Sequence, residues 1–409
     1  MKINSYARLR IGLADVIYVY LAMLPIVWMT DKIVQFAIQL LVCLVYVLTV
    51  KVKIKKSLIP IIIYIVAHCV SILLNFQSEN DYSRIIAALN TVMCWVLGAM
   101  IFSYIGEIKI KKTTIQKLCS YLLYVIIIIS VIALIASKIG IKPFQLSGQY
   151  LYVTEWFNGQ NRMRSNCFME YANLVPYACF LLFPFAYDNI KKNKTINRII
   201  FLLLIIIPLY VSNSRLGILL IGILLIVEAF KTLRRRKNSR LILFIIVILF
   251  ALFAFFNYQR IIELIRYVFD NLINGRSGSN TTRLKLYDLT FERYKNSSLV
   301  FGVGIKTISS ELPDIPLGSH STYLGALYKS GIVGLIALIC FFTYLAKRIY
   351  YLCKKELIDK LYLFSLLGFL TMMVLEDIDG ANWAIFLFFI CMAFTMNIGI
   401  NPHLQSVGK

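Results

Sequence analysis

Histidine is nearly absent from this sequence, with three residues in 409, at positions 68, 320 and 403. There is no HExxH pair and no cluster of imidazoles, so a catalytic metal held by histidines is not expected, while an all-oxygen site stays open. Nucleotide signatures are missing too. Neither a GxxxxGK loop nor a GxGxxG turn occurs, which removes the sequence basis for ATP-driven chemistry. The nine cysteines include no CxxC pair and fall mostly inside apolar runs. They read as small packing residues, not as a disulfide framework or zinc site. No heptad array and no repeat with a period of about 20–50 residues is present, so neither a coiled coil nor a solenoid fits. Charge is also sparse, at 15% of residues against 59% hydrophobic ones.

A soluble core of this size has no use for so much apolar surface. The mean hydropathy is +0.76, and runs such as Leu241–Phe256 and Tyr121–Ala136 approach the ~20 residues needed to cross a bilayer. Met1–Arg10 is basic, but the apolar stretch after it carries Asp15 and lacks a small-residue cleavage site. It reads as a first span and not as a cleaved signal. The pattern predicts an all-α polytopic membrane protein forming one integral membrane domain. Its twelve expected helices lie near 11–30, 33–50, 57–75, 84–106, 118–137, 166–187, 199–213, 216–230, 241–257, 320–346, 361–376 and 382–399.

The formal net charge of +23 would suggest nucleic acid in a soluble protein. Here the cations sit in short loops beside apolar spans, where topology and anionic lipid account for most of them and no nucleic-acid partner is expected. With the amino terminus inside, the inner segments 51–56, 107–117, 188–198, 231–240 and 347–360 plus the two tails hold 27 of the 43 Lys and Arg. Leu233–Lys237 (LRRRK) is the clearest inner anchor, and both termini come out cytoplasmic. The outer segments are 75–83, 138–165, 212–215, the long 258–319 loop and 376–381. These outer segments still hold 13 Lys and Arg. Cations on that side need a reason, and an anionic ligand is the natural one.

Four outer constellations carry that idea. Arg162 and Arg164, at i and i+2 before the sixth span, have the guanidinium fork that matches phosphate oxygens, against the blander reading of snorkelling at the interface. Glu170 and Asn173, placed about one turn apart, would face a common cavity or bond neighbouring helices. Ser212-Asn213-Ser214-Arg215-Leu216-Gly217 breaks two short apolar runs, and a lone arginine there is costly unless it is paired or faces water. In the long loop, Ile261–Leu272 is amphipathic, Asn274–Thr281 reads as a flexible link, and a helix is expected from Thr282 to Tyr294. Arg283 would open that helix, where the dipole favours anions. His320, in Gly318-Ser-His-Ser-Thr-Tyr-Leu324, stands at the mouth of the tenth span. It suits a proton acceptor or a donor to phosphate.

In this order the motifs resemble the O-antigen polymerase and ligase superfamily. They are Arg-x-x-x-Phe-x-x-x-x-Asn at 164–173, Ser-x-Ser-Arg-x-Gly at 212–217, Arg283, Gly-x-Gly at 302–304, His-Ser-x-Tyr-Leu at 320–324 and Gly-Ile-x-Gly at 331–334. The resemblance covers roughly residues 160–345 by motif and the whole chain by topology. The chain departs from the family pattern at Ser321, Cys167 and Glu170-Tyr171. The resemblance implies a GT-C-like helical fold acting without metal, nucleotide or other cofactor. It would transfer glycans carried on undecaprenyl diphosphate at the outer face of the bacterial plasma membrane. It also implies that Arg164, Arg215 and Arg283, with Arg162 beside them, bind the diphosphate, and that His320 or Glu170 takes the acceptor proton. The implied partners are the lipid-linked glycan as donor and acceptor, membrane lipid, a chain-length regulator and a flippase. A polymerase making capsule, exopolysaccharide or O-antigen fits best. The rivals are a ligase, a transporter (disfavoured because no internal repeat is visible) and a structural scaffold.

Overall fold

A computed structural model describes residues 12–50, 55–78, 81–108, 110–157, 160–192, 195–234 and 277–400. The expected span at 241–257 and the amphipathic stretch 261–272 lie outside the described residues. Along the chain run helices α1 (Leu13–Met29), α2 (Lys32–Thr49), α3 (Ile59–Asn75), α4 (Tyr82–Ile105) and α5 (Lys112–Lys138). Then come α6 (Leu174–Ile190), α7 (Thr195–Leu204), α8 (Ile206–Ser212) and α9 (Arg215–Arg234). After residue 276 follow α10 (Ser277–Lys295), α11 (Thr322–Lys354), α12 (Lys360–Leu375) and α13 (Asn382–Ile400). Local chemistry fixes several starts. Asp31, Asp81 and Asp359 accept from the first free backbone N–H groups of α2, α4 and α12.

Among the described residues, five segments are long and apolar enough to cross a membrane: Lys32–Thr49, Lys56–Asn75, Tyr82–Ile105, Lys112–Lys138 and Thr322–Lys354. Shorter apolar helices accompany them, among them Leu174–Ile190 and Asn382–Asn397. α6 and α13 are buried almost all round and form the hub on which α5, α12, α4 and α2 pack. The outward faces stay apolar, with Leu41 and Leu48 on α2 and Leu73 on α3 more than 60% exposed, as a bilayer solvent requires.

The connections sort into two ends. Lys55–Glu107 (3.4 Å), Lys112–Asp188 (3.9 Å) and Lys191–Asp359 tie together segments read above as inner. The segments read as outer meet at the other end and, among the described residues, carry three antiparallel hairpins that hydropathy does not reveal. These are β1–β2 (Gln145–Leu146, Gln149–Tyr150), β3–β4 (Tyr152–Phe157, Gln160–Ser165) and β5–β6 (Ile308–Ser309, Leu312–Pro316).

Several expected elements are corrected. Residues 166–173 are not helical: Cys167 and Phe168 both take left-handed backbone, at φ 52° and 58°, so α6 starts at Leu174. The expected seventh span is broken at Ile205 into α7 and α8. The flexible link expected at 274–281 is already helical from Ser277, so Arg283 sits in the second turn of α10 and does not open it.

α11 is broken at Gly331, whose φ of 62° no ordinary helix contains. The segment Leu299–Gly304 is wedged into that break. Val303 N–H donates to Tyr328 O (2.7 Å), and Ile332 N–H donates to Leu299 O (3.1 Å), so backbone groups freed by the kink are satisfied. On the far side His68 Nε2 meets Gly304 O at 2.9 Å. The strap is thus held between α3 and α11, the helix pair in most extensive contact. A Cβ on Gly331 would collide with Val300 O, and one on Gly304 with the backbone of Ser71. The two glycine motifs of the sequence are therefore close-approach devices. Gly331→Ala adds left-handed strain to a backbone collision, an expected cost on the order of 3 kcal/mol or more. The melting temperature of the purified variant should fall sharply.

Candidate functional site

A cavity of about 880 Å³ opens at the hairpin end. Six cations line it (Lys32, Arg84, Arg164, Arg283, Lys306 and Lys329), against four carboxylates (Glu155, Glu376, Asp377 and Asp379). His320, Tyr171 and Asn173 also face it, and Ile33, Phe36, Ile86, Leu89 and Met93 from α2 and α4 form an apolar wall.

Arg164 is the most connected of these groups. Strand β4 carries it inward, opposite Val153, and leaves it 8% exposed. Its Nε donates to Ser212 O (2.9 Å), Nη1 to Glu155 Oε1 (3.0 Å) and Nη2 to Asn173 Oδ1. All three directions of the guanidinium fork are used, and they join the β3–β4 hairpin, the end of α8 and the start of α6. Burial pulls the Arg164 guanidinium down to about 10, with Glu376 opposing and Arg283 assisting. It stays charged at neutral pH.

The break between α8 and α9 explains the Ser-x-Ser-Arg motif. Ser212 supplies the carbonyl that orients Arg164, Asn213 turns the chain at φ 53°, and Arg215 begins α9. Arg215 is close enough for the charges of Arg283 and Arg164 to act on it.

α10 presents one face to the site. Arg283, Tyr287 and Thr290, at i, i+4 and i+7, bind Glu376 Oε1 (2.7 Å), His320 O (2.8 Å) and Gly318 N–H (3.0 Å) respectively. The last two hold the turn on which His320 sits at φ 60°, just before Ser321 caps α11. Burial lowers the His320 pKa from its ordinary 6.5, with Glu376 pulling it up and Arg283 pushing it down. The ring is neutral at pH 7 and fit to accept a proton.

Glu376 ties the assembly together. Its Oε1 accepts from Arg283 and from Asn173 Nδ2, and its backbone oxygen accepts from Thr322 N–H (3.1 Å) and Thr322 Oγ1–H (3.0 Å). It was missed in the sequence. The available signal was the acidic link Glu376-Asp377-Ile378-Asp379 between two apolar runs, where intramembrane-edge charges mark function.

Of the residues singled out in the sequence, the structure brings Arg164, Arg283 and His320 into one cavity, with Arg215 beside them. Arg162 is exposed on β4, in register with Glu155, and is not among the cavity-lining residues. Glu170 turns away from Asn173. It accepts from Gln35 Nε2 (2.8 Å) and Trp383 Nε1 (2.9 Å), joining α2 to α13, and burial raises its pKa. The expected common face of Glu170 and Asn173 fails because residues 170–173 are not helical. Glu170→Ala would leave the Trp383 Nε1–H donor without Glu170 Oε2 and Gln35 Nε2 with only Thr30 O, at about 1–3 kcal/mol. The expected result is a lower melting temperature with near-normal turnover per folded molecule.

An apolar helical bundle with a cation-rich cavity at one end defines a membrane protein. Residues 200–339 match the family described as O-antigen ligase. That stretch holds Arg215, Arg283, Lys306, His320 and Lys329, and leaves Arg164, Asn173 and Glu376 outside it. No curated protein matches the chain.

Proposed function

We propose that this protein is a polysaccharide polymerase, a metal-independent glycosyltransferase that joins undecaprenyl-diphosphate-linked repeat units into capsular, exopolysaccharide or O-antigen chains. In this reading it has a GT-C-like architecture of twelve spans in the bacterial plasma membrane. Both termini are cytoplasmic and the cavity faces outward. The observation that carries the reading is the convergence of Arg164, Arg283 and His320 on one cavity that also has an apolar wall, with Arg215 close enough for the charges of Arg164 and Arg283 to act on it. Among the described lining residues six cations face four carboxylates, a positive excess of two, and a diphosphate diester is a dianion. The apolar wall between α2 and α4 suits the lipid tail.

The sugar–diphosphate bond is already activated, so no nucleotide is needed. The acceptor oxygen forms a new bond to the anomeric carbon as the bond to the diphosphate breaks. The lipid diphosphate leaves with the bonding pair, stabilised by the arginine cluster. The acceptor proton passes to the neutral His320 imidazole. A second reading, a ligase moving a finished glycan to another acceptor, is favoured by the description of the matched family. Purified protein supplied with lipid-diphosphate repeat units decides between them. A ladder of lengthening chains supports the polymerase, while transfer of a finished chain only to a different acceptor supports the ligase. No product with either acceptor overturns both.

A further inference from the structure

Two ion pairs line the same cavity and take no part in the transfer described above. Lys306 Nζ binds Asp377 Oδ2, and Lys329 Nζ binds Asp379 Oδ2. Lys306 lies two residues after the strap, and Lys329 lies two residues before the break in α11. All four side chains are substantially withdrawn from solvent, Lys329 to 2% exposure. A lysine buried among apolar helices is costly, and such groups face cavities and serve function.

Arg164 and Arg283 are also paired, with Glu155 and Glu376, but a further cation, Arg215, acts on them, whereas on this wall two cations face two carboxylates. Each pair is formally neutral, so the wall has no net attraction for a dianion. It offers fixed donors and acceptors side by side. Asp379 Oδ1 already accepts from Trp95 Nε1 (2.9 Å), and Asp377 Oδ1 accepts from Asp379 N–H (3.1 Å), so both carboxylates are held in place. Alcohol hydroxyls both give and take hydrogen bonds, whereas an ionised phosphate only takes them. A neutral donor–acceptor wall therefore matches a sugar ring better than a diphosphate.

We infer that the Lys306–Asp377 and Lys329–Asp379 pairs form a subsite for the hydroxyls of the acceptor sugar, separate from the arginines that hold the diphosphate. The inference rests on the glycosyl-transfer reading. The four residues position the acceptor. Proton removal stays with His320.

The test uses the full chain in lipid nanodiscs and two probes. One is a polyprenyl diphosphate without sugar. The other is a repeat-unit oligosaccharide on a short alkyl group, which accepts but cannot donate. Asp377→Asn should raise the KM for the alkyl acceptor by ~10-fold or more, the scale of a lost hydrogen bond to a charged group. The Kd for polyprenyl diphosphate should stay within ~2-fold, since the arginines are untouched. Asp377→Glu should recover part of the acceptor KM. If Asp377→Asn folds poorly, Lys306→Gln gives the same two readouts at the cavity wall. An unchanged acceptor KM in a folded variant overturns the subsite alone, as does an equal loss of polyprenyl diphosphate binding. Wild-type protein that binds polyprenyl diphosphate but extends no acceptor overturns the glycosyl-transfer reading, and the subsite with it.

Discussion

His320→Ala is expected to slow chain elongation by roughly 10²–10⁴-fold, the usual range for a lost general base. Donor binding should fall far less, because Arg164 and Arg283 are fixed by contacts that do not involve the imidazole. The backbone oxygen of residue 320 still accepts from Tyr287, so the turn survives the truncation. A merely structural histidine predicts the reverse, with lower yield and melting temperature but normal specific activity. The pH profile adds a second handle. Burial lowers the folded pKa below 6.5, so the neutral, proton-accepting form persists at pH 7. Elongation should lose activity only as the pH falls below 6.5 and through that lowered value. An acid limb centred above 6.5 would remove His320 from the role of base.

Arg164→Ala should be the most damaging single change in the cavity. It strands Glu155, the Ser212 carbonyl and Asn173, and through Asn173 it loosens Glu376. Glu155 is 36% exposed and can take up water, so the loss falls mainly on the buried Asn173 and Ser212 groups, at about 1–3 kcal/mol each, enough to threaten folded yield. Arg164→Lys keeps the charge, but an ammonium on a flexible stem cannot reproduce a planar fork aimed at three partners. The lysine variant should therefore melt lower and bind polyprenyl diphosphate more weakly. Arg215→Lys makes a useful contrast. It stands at the start of α9, so the expected loss falls on elongation more than on melting temperature. Wild-type binding and elongation in a folded Arg164→Lys protein would show that the fork does not contact the ligand.

The helices were legible because a 17- to 27-residue apolar run such as α1 or α5 has little else it can become. The hairpins were not, since β3 and β4 mix charge and aromatics without clean alternation and depend on the bundle end for support. Cys167 and Phe168 look like ordinary helix residues. Their left-handed backbone is imposed by tertiary contacts that no local pattern announces. Ser277–Thr281 carries turn chemistry, yet it is helical. In the site, Arg215 could be read from the cost of a lone charge between apolar runs, while Arg164 stood out as half of a guanidinium pair and Arg283 by its expected place at a helix start. Glu376 could not be found by searching for bases near motifs. Its importance comes from bridging Arg283 and Asn173, residues 93 and 203 positions away in the chain.

The clasp of Leu299–Gly304 between α3 and α11 also bears on how the protein is made. Tyr64, His68 and Ser71 place three buried polar side chains on the face of α3 that receives this clasp. Gly304 is 236 positions further along than His68. During synthesis α3 therefore emerges long before its partners, and its polar stripe must wait against lipid or earlier helices at an energetic disadvantage. A nascent chain stalled before residue 304 would expose that stripe as a mark of incompleteness, open to membrane quality-control proteases. Full-length chains hide it only when the last third of the protein has arrived.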